Sequence, residues 1–228
     1  MEENAFKIFP LGDSALTLDL GGKISESLNE NAIALSNYLD SHPFPGFIES
    51  VPAYSSITVY YDLLTVRGNF PDFMSAFAAV KYIVESGLAA TKVSRSRKTR
   101  TITIPVKFDP NAGPDLEFVA EQSRLDTNEV VRIFTEPTYR VFMLGFLPGF
   151  SYLGEVDERI ATPRRDSPRL TVPKGSIGIA ERQTGIYSLE SPGGWQIIGR
   201  TETELFSPRN EIPCRLAPGD NVRFVSTQ

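Results

Sequence analysis

The groups in this chain that could do chemistry are cations and hydrogen-bonding side chains. Arg164, Arg165, Arg169 and Lys174 fall within eleven residues and are opposed only by Asp166. Guanidinium forks and an ammonium suit the oxygens of phosphate or carboxylate, because charge-assisted hydrogen bonds are about twice as strong as neutral ones. Two readings of the cluster stand side by side: an anion site, or a basic loop solvated or paired to surface acids. Gly145, Gly149, Gly193 and Gly194 either let the backbone approach a ligand or serve tight turns. Among the aromatics near Pro148-Gly149, Phe146 is expected in the core, as is Trp195, while Phe150 and Tyr152 fit a core or a partner-binding surface equally well.

Familiar nucleophilic machinery is missing from the inventory. His42 is the sole histidine and precedes all of these groups, so no Ser-His-Asp or Cys-His set can form around them, and no P-loop or GxSxG elbow occurs. Cys214 is also alone, which rules out an internal disulfide and a Cys/His zinc cluster, and fits a reducing cytoplasm. A net charge of −5 argues against nucleic acid or an anionic membrane as the main partner. The first residues lack the basic flank and apolar run of a secretory leader, and no apolar stretch approaches the roughly 18 residues of a membrane span.

These groups need a scaffold, and the patterning predicts two domains. Ala15 to Leu20 alternates as a strand, Ser25 to Leu39 has helical spacing, and Phe47 to Pro52 with Ser56 to Tyr61 reads as a hairpin. A second amphipathic helix over Pro71 to Ser86 and a strand over Thr101 to Phe108 complete βαββαβ, a ferredoxin-like order, in residues 1–110. Between them, five of the nine residues Lys92 to Arg100 are basic, which suggests a solvated connection or a site for phosphate or a partner. Asp115 to Ser123 and Asn128 to Phe134 read as short helices opening a second domain, 111–228. From Tyr139 onward, short apolar runs alternate with turns, and nine of the 17 glycines lie between Gly145 and Gly199, as in a β-barrel.

The motifs themselves carry a resemblance. Leu144-Gly-Phe-Leu-Pro-Gly-Phe-Ser-Tyr-Leu-Gly154, Thr162-Pro-Arg-Arg165, Ser167-Pro-Arg169, Val172-Pro-Lys-Gly-Ser-Ile-Gly-Ile179, Gln183-Thr-Gly-Ile-Tyr187 and Ser191-Pro-Gly-Gly-Trp-Gln-Ile-Ile-Gly-Arg200 follow in order. Together they resemble the family of the 5-oxoprolinase B subunits, the kinase inhibitor KipI, and the allophanate hydrolase subunit 1 or urea carboxylase domain. The resemblance implies an α+β protein, with a ferredoxin-like domain followed by a cyclophilin-like β-barrel.

It also implies a component of an ATP-dependent 5-oxoprolinase, inactive alone and working with the C and A subunits on a small-molecule substrate. ATP with Mg2+ would be shared with a partner subunit, with no metal site built from this protein alone. On that basis Arg164, Arg165 and Lys174 form the expected catalytic set, contacting a nucleotide phosphate or the substrate carboxylate. Gln183, Thr184, Tyr187, Gly193 and Gly194 are the expected binding neighbours, and Phe150 and Tyr152 the expected partner interface. Inhibition of a sensor kinase and a role beside a urea-metabolising carboxylase are the alternatives. Phe134 stands where relatives often carry a histidine.

Overall fold

The computed structural model describes residues 6–22, 24–91 and 99–227. Two compact units divide at Lys98/Thr99. Of the basic run at 92–100, residues 92–98 lie outside the described ones.

The first unit contains β1 (Lys7–Pro10), β2 (Ala15–Asp19), α1 (Glu26–Ser41), β3 (Phe47–Pro52), β4 (Ser56–Tyr61), α2 (Leu63–Asn69) and α3 (Ala76–Thr91). Alternation in β4 buries Ile57, Val59 and Tyr61, which meet Leu35 and Leu39 of α1 and Val80 and Val84 of α3 in one core. Asp62 starts α2 by accepting the Thr65 N–H at 2.7 Å, a cap that the sequence reading missed. The two long helices approach closely at Gly87, where a Cβ would sit 3.0 Å from Leu35 Cδ1.

The order of this sheet corrects the βαββαβ expectation. Its strands run β1-β2-β4-β3, all antiparallel, and the edge position beside β2 belongs to β1 from the start of the chain. Thr101–Lys107, expected there, lies in the other unit, so the domain boundary falls at 98/99 and not at 110. The alternation in that segment was real, but period two shows only that a strand has a buried face, not which sheet buries it.

The second unit contains β5 (Thr101–Lys107), α4 (Leu116–Ser123), α5 (Thr127–Thr135), β6 (Tyr139–Leu144), β7 (Ser151–Gly154), β8 (Arg169–Val172), β9 (Ser176–Ala180), β10 (Gln183–Ile186), β11 (Ser191–Gly193), β12 (Gln196–Arg200) and β13 (Asn221–Thr227). Seven strands close a barrel in the order β10-β7-β6-β13-β5-β12-β9, and β8 pairs with β11 as a separate ribbon. β5 runs parallel to β13 over its full length, Thr101 opposite Asn221 and Lys107 opposite Thr227. Ile104 and Val106 thereby join Val222 and Phe224 in the barrel core. Arg100 locks the start of this pair with a two-pronged hydrogen bond to the buried Asp220 carboxylate, Nε to Oδ1 at 3.0 Å. Phe134 is fully buried and stacks on Phe224 at 5.0 Å, so packing accounts for its identity.

Candidate functional site

Gly113-Pro-Asp115 lies flat on β12. A Cβ on Gly113 would collide with the Ile198 carbonyl, so only glycine lets the segment come this close. Asp115 then exchanges two hydrogen bonds with Ile197: its N–H donates to the Ile197 carbonyl at 2.9 Å, and its Oδ2 accepts the Ile197 N–H at 2.6 Å. The residue sits at the start of α4, yet its carboxylate makes no cap there. Its other oxygen instead receives Arg169 Nη2 at 2.6 Å and Arg165 Nη1 at 3.2 Å. One buried carboxylate thus orients two guanidinium groups that lie 50 and 54 residues further along the chain.

The wall beside these arginines is built around Trp195. Gly178 on β9 faces Gly185 on β10 across the hairpin, and their missing side chains leave a slot for the indole. A Cβ on either glycine would sit 2.9 Å from Trp195 atoms. Phe150 packs edge-on against the same ring at 5.7 Å, with Tyr187 5.1 Å from Phe150. Arg164 projects over the indole, its guanidinium carbon 5.7 Å from the ring centroid, a cation–π arrangement. The arginine loop is tied down by the Arg165 N–H, which donates to the Gly194 carbonyl at 2.8 Å.

A cavity of about 390 Å³ opens where these parts meet, lined by Phe118, Pro163, Arg164, Arg165, Asp166, Ser167 and Gln196. Its size is within the range of small-molecule sites. Gln196 is 3% exposed, and its Nε2 donates to the Pro163 carbonyl at 3.0 Å. Behind the cavity surface, Gln196 Oε1, Arg165 Nε and Arg169 Nη1 are buried with no hydrogen-bond partner in the protein, and none of the three is open to the cavity. The Arg164 and Arg165 guanidinium groups on the cavity lining suit an anionic ligand.

The expected site residues separate into three groups. Arg164 and Arg165 line the cavity, and Gly194 anchors their loop. Lys174 does not line it; its ammonium lies 3.4 Å from the Glu204 carboxylate, both exposed. Gln183, at the start of β10, faces Ala180 and Gly154 on the neighbouring strands, and Thr184 is fully buried, donating to the Gly178 carbonyl at 2.9 Å. Tyr187 is buried, its hydroxyl bonded to the Trp195 backbone and packed against Gly193; burial raises its phenol above the ordinary range. None of the three lines the cavity, and Tyr187 packs in the cluster of Phe150 and Trp195.

The aromatic assignments change as well. Phe146 was expected in the core but is 60% exposed, at the tip of a turn with φ of +65°. Phe150 is 1% exposed and belongs to the core, which removes it from any docking surface, whereas Tyr152 is half-buried. The sequence reading missed Asp115 and Gln196 as site residues. Asp115 reads as an ordinary helix start, and Gln196 lies among apolar barrel residues. The one available signal was a polar side chain directly ahead of an apolar pair, Gln196-Ile-Ile.

Comparison with known proteins agrees with this architecture. Residues 6–216 match the family model described as carboxyltransferase domain, subdomain C and D. The chain is 45% identical over 221 residues to the 5-oxoprolinase B subunit of Bacillus subtilis (strain 168), covering 96% of this chain and 92% of that one. It is 37% identical to the 5-oxoprolinase B subunit of Escherichia coli O157:H7, over 96% and 95% of the two chains. The crystal structure of TTHA0988 superposes with a TM-score of 0.78 at 35% identity. That match takes in 94% of this chain but 40% of the longer TTHA0988 chain.

Proposed function

The chain belongs to the carboxyltransferase subdomain C and D family, and from that membership we propose that it is the B subunit of an ATP-dependent 5-oxoprolinase, opening 5-oxo-L-proline to L-glutamate together with the A and C subunits. Near-full-length identity of 36–45% to proteins named as the B subunit of 5-oxoprolinase supports the assignment. The observation that carries it at the level of chemistry is the cavity where Arg164 and Arg165 meet Gln196, with no histidine or cysteine among its lining residues.

Ring opening of a lactam is hard because the amide is unactivated. Bound ATP would supply the phosphoryl group that activates the amide oxygen, with Mg2+ held chiefly by phosphate oxygens and water. What this chain contributes is positioning and positive charge. Arg164, exposed and braced by Trp195, offers its fork to the substrate carboxylate or a phosphate. Arg165, held by Asp115 through Nη1, lines the cavity beside it. The half of the site that delivers the nucleophile belongs to partner subunits, so the chain alone is inactive. The barrel is read as cyclophilin-like, and the lone cysteine fits a cytoplasmic protein.

Co-expression with the candidate A and C subunits, followed by an assay of ATP-dependent glutamate release with each component omitted in turn, tests this directly. Release must require this chain, and Arg164→Ala must lower kcat/KM for 5-oxoproline by about tenfold to a hundredfold, the loss of one charge-assisted contact. Release that continues undiminished without the chain ends the proposal.

A further inference from the structure

We infer that Asp166 is an ammonium subsite, which makes the cavity selective for a zwitterionic α-amino acid whose carboxylate Arg164 takes. The inference rests on the function proposed above and identifies which end of that reaction the cavity holds: the ring-opened product rather than the lactam.

Among the residues lining the cavity, Asp166 alone is acidic. A carboxylate preceded by Arg164 and Arg165 and followed by Arg169 would ordinarily pair with one of them. Here all three cations are engaged elsewhere. Arg165 and Arg169 share Asp115, at 3.2 and 2.6 Å, and the Arg164 guanidinium lies over the Trp195 ring. Among the described residues Asp166 therefore has no hydrogen-bond or ion-pair partner, and its negative charge stands unpaired on the same lining as Arg164. The two are close in space, because residues two apart in sequence have Cα atoms separated by at most about 7 Å. Both are exposed, so a ligand in the cavity reaches them without displacing buried groups.

Opposite charges on one small lining decide among ligands. A polyphosphate gains from the arginines but meets the Asp166 carboxylate as a like charge, and a plain carboxylate leaves Asp166 unpaired. An α-amino acid answers both groups, since its ammonium and carboxylate sit on one carbon. In 5-oxoproline the nitrogen is an uncharged amide. Hydrolysis breaks the ring C–N bond, the water oxygen entering the new carboxylate and both water protons passing to the nitrogen, which becomes an ammonium. The charge that Asp166 complements thus exists only after ring opening, and the cavity matches L-glutamate better than the lactam.

Calorimetric titration of the full-length chain, without ATP or partner subunits, tests this by comparing L-glutamate with glutarate, which keeps both carboxylates and lacks the ammonium. Glutarate carries the larger negative charge, so the arginines alone would favour it. L-Glutamate should nevertheless bind about threefold to tenfold more tightly than glutarate, and more tightly than 5-oxoproline. Asp166→Asn, a nearly isosteric change at an exposed position, should reverse the order and make glutarate the tighter ligand. Glutarate bound as tightly as L-glutamate by the unaltered chain overturns the inference, as does a glutamate preference that survives in Asp166→Asn or a failure to bind L-glutamate. The ligand swap needs no variant, so misfolding cannot obscure the result. Failure of the reconstituted subunits to release glutamate counts against the proposed reaction and leaves the subsite standing, whereas equal binding of glutamate and glutarate removes the subsite and leaves the reaction standing.

Discussion

Asp115 decides the geometry of the site although it never faces the ligand. Its carboxylate is buried and accepts from Arg165, Arg169 and the Ile197 N–H. Removing it leaves two partly buried cations and one buried N–H without their acceptor, so Asp115→Ala should lower unfolding free energy by about 2–4 kcal/mol. Asp115→Asn keeps an oxygen for Ile197 and should lose less. Urea unfolding of the three proteins separates the cases, and an Asp115→Ala midpoint equal to that of the unsubstituted chain would show that the carboxylate is structurally idle. Basic residues were legible in the sequence because four fall within eleven positions. Their anchor was not, since a partner 50 residues away leaves no mark on local spacing.

At the scale of elements, glycine separates what was legible from what was not. The density of glycines after Tyr139 correctly signalled a barrel, but it was read as turns, whereas Gly178 and Gly185 serve close approach, as does Gly113 ahead of that stretch. Gly113→Ala would push a Cβ into the Ile198 carbonyl and lift the start of α4 off β12, carrying Asp115 with it. Overpacking of this kind costs about 1–3 kcal/mol, and here the obstacle is backbone that cannot rotate away. Gly194→Ala is the control: its Cβ would meet Pro168 at 3.6 Å, an ordinary contact, and stability should change by about 0.5 kcal/mol or less. Matched thermal unfolding of both variants checks the contrast, and equal losses would mean that the close approach is not what fixes Gly113. Helix α2 escaped prediction because it is seven residues long, too short for a periodic signal.

For the whole molecule, the consequential misreading is the position of β5, and it can be tested by where the chain is cut. Sequence alternation identified Thr101 to Phe108 as a strand but placed it with residues 1–110. In the barrel, β5 stands between β13 and β12 and so completes the ring. A fragment of residues 99–228 retains all seven strands, Ile104 and Val106 in the core, and Arg100 on Asp220. Residues 111–228 lack the closing strand, which strips two fully buried side chains worth about 1.5–3 kcal/mol each and exposes the edges of β12 and β13. Against a typical net stability of about 5–15 kcal/mol, that loss is large, and the open edges favour aggregation. The longer fragment should therefore unfold cooperatively in urea and run as a compact species on sizing. The shorter one should be aggregated or lack a cooperative transition. Equal, cooperative unfolding of both would mean that β5 is dispensable to the barrel and that the boundary at 110 was the better division.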